Sequence, residues 1–393
     1  MKVAIVSEFY PRAHDPVLGI WAHRQAVAAR DAGADVRVVV LHRPIPPRGT
    51  SRRELLAETR RLAAHPRWAY LDGIEVRYIP FLAPPRPRSY GSWGAWAAPT
   101  VAVALRRLAQ TFPFDLVHAH NAVPAADAVR RARIDAPLVV SEHGADVLYT
   151  APRHRAGRRS TVATFAAARL VLANSAGIER ACRDLGAAQT RVVHLGTDLP
   201  DTTAAAGRDG SAPPALVTVG HLVARKRHAD VVRAIALLGD RLPELRDVVI
   251  GDGPEREPLA RLVTELGLER RVELTGQLEH AAALERARAC DVFVMPSVDE
   301  AFGVAYVEAM AAGLPAIAAR GEPGPEEIAA VGEGLALVPP GDVQALAGQI
   351  ERLAGDPAHR AELGAAGRET VRRAFTWERC GAQTVRAYAD ALA

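Results

Sequence analysis

The sequence predicts an α/β fold class: two consecutive units, each a parallel sheet covered by helices. Three observations predict it. Short runs rich in Val, Ile and Leu alternate with amphipathic stretches along the chain, a pattern of β-α-β repeats rather than hairpins. The chain has 393 residues, which suits two domains at roughly 100–200 residues each. Residues 199–214 break the rhythm with Pro, Gly, Ser, Thr and Asp and no apolar period, as a linker does.

The elements follow in order. Strands are expected at residues 3–7, 35–41, 75–79, 116–119, 138–141, 170–173 and 191–194. A helix over 20–32 stops before Gly33, a suitable C-cap. Ser51 and Glu54 have the spacing of a capping box and open a helix to about residue 64. After the linker, strands are expected at 216–219, 248–251, 272–275, 292–295, 316–318 and 335–338, then helices at 343–354, 357–373 and 377–392. The domain reading is therefore 1–198, a linker at 199–214, and 215–372, both domains Rossmann-like. No short internal repeat is visible.

Composition narrows the function classes. Net charge is +4, and Lys2 and Lys226 are the only lysines, which suggests a GC-rich genome more than a nucleic-acid binder. Cys182, Cys290 and Cys380 are far apart and form no CxxC, so they read as free thiols in a reducing compartment. The apolar run in MKVAIVSEFYP is too short for a signal-peptide core. No stretch approaches the roughly 18 apolar residues of a membrane span. A cytoplasmic location is expected, with peripheral contact at the inner face of a membrane left open. No GxGxxG follows the first strand, which argues against a dinucleotide oxidoreductase.

The chemistry concentrates in residues 291–318, DVFVMPSVDEAFGVAYVEAMAAGLPAIA. This reads as a strand over 291–295, a turn, and a helix over 303–312. The turn presents backbone N–H groups of Phe302, Gly303 and Val304 at a helix start, a seat for phosphate. Glu300 and Glu308 bracket it, placed to accept charge-assisted hydrogen bonds from sugar hydroxyls.

The string resembles the E-x7-E signature of the GT-B retaining glycosyltransferases of family 4. Pro296, Ser297, Glu300, Phe302, Gly303, Glu308, Ala309, Met310, Ala311, Gly313 and Pro315 match, and Ala301 stands where Gly is commoner. The resemblance implies two Rossmann-like domains with sheets facing across a cleft, and a last segment, 373–393, that crosses back to the first domain. It implies that Glu308 takes the ribose hydroxyls and Glu300 a hydroxyl of the transferred sugar. VGHLVARKR, residues 219–227, resembles a family segment whose Arg and Lys bind the diphosphate. Lys226 aligns with that Lys, His221 stands where Arg is usual, and Arg225 is the candidate for the missing charge.

Further matches assign the remaining candidates. Gly251 and Gly253 resemble a GxGP turn where small residues let the nucleotide approach the backbone. The TGQL segment ending at Leu278 matches a segment near the base, and GEPGPE, residues 321–326, one near the donor sugar. SEHGADV resembles the HGxD segment and makes His143 the first-domain candidate nearest the transferred sugar. Asp146 is expected either to orient His143 or to cap a helix. HAHN places His120 and Asn121 on the acceptor side, and Gly19 lies in the loop that nears the donor phosphates.

Residues 42–112 hold twelve arginines against Glu54, Glu58, Asp72 and Glu75, interleaved with Trp68, Trp93 and Trp96. One reading is a site for an anionic or lipid-linked acceptor, or contact with an anionic membrane. The plainer one is a solvated Arg-rich face with Trp in the core.

The implied function is a retaining glycosyltransferase that moves a sugar from a UDP- or GDP-linked donor to a glycan, glycolipid or small natural product. No cofactor and no metal are expected, because positive side chains would stabilise the departing diphosphate. No carboxylate stands out as a nucleophile for double displacement, so front-face transfer is expected, with the leaving phosphate taking the acceptor proton. The competing readings are a GT-B sugar-nucleotide epimerase, a phosphorylase, and a non-catalytic nucleotide-sugar-binding protein.

Overall fold

The computed structural model describes residues 1–46, 50–86, 89–201 and 213–393. Most of the expected linker, with Arg48 and Arg88, lies outside the described residues. The chain divides into two compact units, Met1–Leu195 with Trp377–Ala393, and Gly196–Thr376.

The first unit is built on eight strands: β1 (Lys2–Ser7), β2 (Asp35–His42), β3 (Trp68–Leu71), β4 (Ile74–Pro80), β5 (Leu116–His120), β6 (Leu138–Glu142), β7 (Leu170–Ala173) and β8 (Thr190–Val192). Their order is β3-β4-β2-β1-β5-β6-β7-β8. Every residue of β5, β6 and β7 is buried, as in parallel strands covered on both faces. All neighbours pair parallel except β3 with β4. The sequence reading did not contain β3. It is joined to β4 by Asp72 and Gly73 at φ 46° and 78°, a two-residue Asp-Gly hairpin whose positive φ angles match the strand twist. Trp93 is in the core, but Trp68 and Trp96 are about half exposed, which corrects the expectation that all three are buried.

Among the described residues the helices that precede the second unit are α1 (Ile20–Asp31), α2 (Arg52–Ala63), α3 (Trp93–Thr111), α4 (Asp127–Ala132), α5 (Ala151–Arg153), α6 (Arg155–Ala167) and α7 (Ala176–Asp184). Ser51 and Glu54 form the expected capping box at α2. In the second unit, strands β9 (Ala215–Val219), β10 (Arg246–Ile250), β11 (Val272–Gly276), β12 (Val292–Met295), β13 (Ala316–Ala319) and β14 (Leu335–Val338) form an all-parallel sheet ordered β11-β10-β9-β12-β13-β14. Helices α8 (His228–Leu237), α9 (Arg256–Glu265), α10 (His280–Arg288), α11 (Val304–Ala311), α12 (Pro323–Val331), α13 (Val343–Gly355) and α14 (Pro357–Ala374) cover it. The helix expected from residue 303 starts one residue later, because Gly303 is left-handed (φ 87°) and caps it.

The last helix, α15 (Trp377–Leu392), packs in the first unit. Its Cys380, Ala387, Tyr388 and Ala391 share a core with Ala22, Ala26 and Ala29 of α1. The approach is close: a Cβ on Gly381 would lie 2.1 Å from the carbonyl oxygen of Ala28. The three cysteines are buried free thiols.

Each sheet has one point where the strand order reverses, between β1 and β5 in the first and between β9 and β12 in the second. Open parallel sheets bind ligands outside the carboxyl ends of the strands at this point. Lys226 and Glu300 follow β9 and β12 at this point of the second sheet, and His120 ends β5 at that of the first.

Candidate functional site

In the second unit, Glu300 is the centre. It follows β12 and is 7% exposed. Lys226 Nζ lies 2.5 Å from its Oε2, Ser297 Oγ donates to the same oxygen at 2.8 Å, and Arg225 Nη1 is 3.7 Å away. Burial alone would raise the Glu300 pKa. The charges of Lys226 and Arg225 and the two hydrogen bonds outweigh it, so the carboxyl sits below its usual range and is ionised. Lys226 reaches this place from a short turn after β9, and the Val298 N–H donates to the Arg225 carbonyl at 2.8 Å to tie the two loops. His221 is exposed and forms no ion pair with Glu300 among the described residues.

The turn carrying Glu300 is held from behind. Its N–H donates to Glu322 Oε2 at 2.9 Å, and its carbonyl accepts from Gly324 N–H at 3.0 Å. Tyr306 hydrogen-bonds the Met295 carbonyl and lies 3.1 Å from Ser297 Oγ. Phe302 packs its ring against Phe375 at 5.7 Å and is 2% exposed, so it can serve a ligand only through its backbone. GEPGPE thus buttresses the Glu300 turn through Glu322 and Gly324. Pro323 opens α12.

Glu308 is on α11, and His280 Nε2 lies 2.8 Å from its Oε1. Leu278 is half-buried in the segment between β11 and α10. What Gly251 and Gly253 admit in this structure is the neighbouring loop. A Cβ on Gly251 would lie 2.0 Å from the Gly220 carbonyl oxygen, and one on Gly253 2.4 Å from that of Leu222.

In the first unit, His120 and His143 are brought together at the carboxyl ends of β5 and β6. His120 Nδ1 and His143 Nε2 are 2.9 Å apart, and the rings are parallel within 3°. Burial depresses the His143 pKa to about 3 and presses His120 well down, so both imidazoles are neutral and one of the two facing nitrogens carries the proton. Below them, Tyr388 of α15 meets His118 Nδ1 at 2.7 Å, and His118 Nε2 meets Ser141 Oγ at 2.8 Å. Trp21 lies beside His143, with ring centres 6.1 Å apart. Gly19 starts α1 at φ 65°, and a Cβ there would strike the Phe9 backbone at 2.1 Å. Asn121 is buried with φ 70°.

Asp146 neither orients His143 nor caps a helix with its side chain. Its Oδ2 accepts the Val123 N–H at 2.9 Å. Glu142 accepts from Gly144, Asp146 and Ala122 at 2.9, 3.3 and 3.4 Å. The two buried acids latch the loops after β5 and β6. Burial pushes both carboxyls up, and the charge of Glu142 raises Asp146 further. Glu8, after β1, accepts from Arg86 at 2.7 Å and from Tyr90 at 2.8 Å, with Arg86 stacked on the Tyr90 ring.

Two family models together match most of the chain. Residues 18–200 match the model of Glycosyltransferase Family 4, and residues 205–370 that of Glycosyl transferases group 1. The 2-deoxystreptamine glucosyltransferase of Streptomyces kanamyceticus is 33% identical over 310 residues, covering 72% of this chain and 78% of that protein. The chain belongs to glycosyltransferase family 4. A second relative, the lipopolysaccharide core biosynthesis glycosyltransferase LpsD of Rhizobium meliloti, is 39% identical over 161 residues, and there the match spans 41% of this chain and 45% of that protein. Among solved structures, sucrose-phosphate synthase from Thermosynechococcus elongatus superposes with a TM-score of 0.78 at 23% identity, covering 99% and 98% of the two chains. HepE of Anabaena, solved with UDP and glucose, gives 0.72 at 23% identity, covering 99% of each chain. Both share the GT-B fold with this family 4 member.

Sequence reasoning missed Glu322, Tyr306, His280, Glu142, Glu8, His118 and Tyr388 around these residues. Glu322 was legible in GEPGPE, and His118 in HAHN. No local signal marks His280 or Tyr388, whose partners are distant in sequence.

Proposed function

We propose that the protein is a retaining glycosyltransferase that moves a sugar from a UDP- or GDP-linked donor to a hydroxyl of a glycan, glycolipid or small natural-product acceptor. The observation that carries this is the cluster of Lys226, Arg225, Ser297 and Glu300 at the switch point of the second sheet. It combines cations for a diphosphate with an ionised carboxylate for a sugar hydroxyl. The relatives support it: one is a glucosyltransferase acting on 2-deoxystreptamine, and HepE holds UDP and glucose.

In this reading Glu308 takes the ribose hydroxyls, while Lys226 and Arg225 take the diphosphate and stabilise its departure. Donor phosphates replace part of the Glu300 carboxylate around Lys226. The neutral His143 supports the donor sugar by hydrogen bonding rather than as an acid, and the leaving phosphate takes the acceptor proton. The reaction needs no divalent metal. The protein works in the cytoplasm. Among the described residues no helix is long and apolar enough to cross a membrane. Contact with an anionic bilayer belongs to the proposal only through α2, whose Leu55 and Leu56 stand exposed beside Arg52, Arg53, Arg60 and Arg61.

Calorimetry with UDP, GDP, ADP and dTDP, on wild type and Glu308→Ala, tests the donor site. One nucleotide should bind selectively and weaken at least about tenfold in the variant, roughly 1.4 kcal/mol. Transfer should survive chelator and give a product of unchanged anomeric configuration. An inverted product, or activity restored only by manganese, would refute those parts. Sedimentation with vesicles that does not depend on anionic lipid would remove the membrane contact.

A further inference from the structure

The two glutamates of the E-x7-E pair are held in different ways. Glu300 has three partners, Lys226, Arg225 and Ser297. Glu308 has one among the described side chains, His280, at 2.8 Å. A glutamate has three rotatable bonds, and ordering such a side chain costs on the order of 1 kcal/mol or more. A carboxylate that must meet two adjacent hydroxyls therefore gains from being fixed before the ligand arrives.

His280 is placed to fix it. It is the first residue of α10, facing Glu308 on α11. The pair lines a small pocket with apolar Leu284, Phe293 and Ala309 and with charged Asp198 and Arg288. An ionised carboxylate offers about four acceptor positions. His280 occupies one on Oε1, which leaves Oε2 and the second Oε1 position for ligand hydroxyls. The His280 side chain is 44% exposed against 16% for Glu308, so the histidine can be changed without opening the core.

We propose that His280 is a positioning residue of the donor site: it donates Nε2–H to Glu308 and holds that carboxylate in the orientation that receives the ribose hydroxyls. The inference rests on the reading of Glu308 as the ribose ligand. It predicts that His280 acts on nucleotides only through Glu308, whatever the base.

A double-mutant cycle tests it, with affinities for UDP and GDP measured on wild type, Glu308→Ala, His280→Ala, His280→Gln and the double alanine variant, and inorganic pyrophosphate as a ligand without ribose. His280→Ala should weaken whichever nucleotide binds about fivefold and leave pyrophosphate binding unchanged. The double variant should bind no more weakly than Glu308→Ala alone, because coupled neighbours are not additive. His280→Gln, which keeps an N–H donor, should recover part of the loss. If Glu308→Ala weakens binding while His280→Ala does not, or if the two losses add, His280 has no such role and the donor site stands. If Glu308→Ala binds nucleotide like wild type, the ribose reading of Glu308 falls, and this proposal with it.

Discussion

At the residue scale, the Glu300 turn depends on a glycine that touches no ligand. A Cβ on Gly324 would lie 2.2–2.4 Å from the Phe302 backbone, a distance that forces one chain to move. Gly324→Ala is expected to destabilise the second unit by about 2–3 kcal/mol. Because Gly324 also donates to the Glu300 carbonyl, nucleotide affinity should fall as well, although no side chain of the cluster is altered. Urea unfolding with nucleotide titration on the same sample checks both, and an unchanged affinity would show that the turn holds itself. The Glu300 string was legible because its residues are contiguous. The need for Gly324 was not, because it arises where two segments meet in space.

At the element scale, the same distinction separates what local pattern shows from what packing decides. The α2 capping box was readable from Ser51 and Glu54, and both of its hydrogen bonds are formed. Ser51→Ala should cost about 1 kcal/mol. α2 buries only Leu62, so the loss should appear as faster amide exchange within α2 and leave the global unfolding midpoint nearly unchanged. An equal fall of the global midpoint would mean that α2 unfolds together with the sheet. The β3–β4 hairpin carried an equally local signal, Asp72-Gly73, but its short flanking strand escaped a search for alternating α/β runs. The link from α15 to His118 carried no signal: Tyr388 and His118 are 270 residues apart. Tyr388→Phe should cost about 1 kcal/mol or more, since it leaves a buried imidazole nitrogen without its partner.

At the scale of the whole molecule, stability should depend on acid through the first unit. His118 is fully buried, with its pKa depressed by burial to about 3. Unfolded, it titrates near 6.5. Its contribution is therefore complete above pH 6.5 and is lost as pH falls toward 3, at about 1.4 kcal/mol per pH unit. His120 and His143 act in the same direction. Glu142 and Asp146 are raised by burial and act oppositely, losing stability as pH rises from about 4. The histidines and the two acids therefore pull the pH dependence of this unit in opposite directions. Replacing His118 with Asn should remove about 2 kcal/mol of the difference between pH 6.5 and pH 5 in urea unfolding. A slope identical to wild type would refute the neutral state of His118. The alternation of strands and helices revealed the two-unit architecture, but nothing in it marked His118, His120 and His143 as neighbours.

The contribution of α15 to the first unit also bears on synthesis. A ribosome delivers β1 to β8 long before residues 377–393, with the whole of Gly196–Thr376 made in between. Domains commonly fold in order as they emerge, yet here the unit begun first is completed last. Until then α1 lacks the helix that covers Ala22, Ala26 and Ala29, and His118 lacks Tyr388. A nascent chain is thus exposed to chaperones and proteases at its own beginning until its final helix arrives, and a frameshift anywhere in the second half would leave the first half unfinished as well.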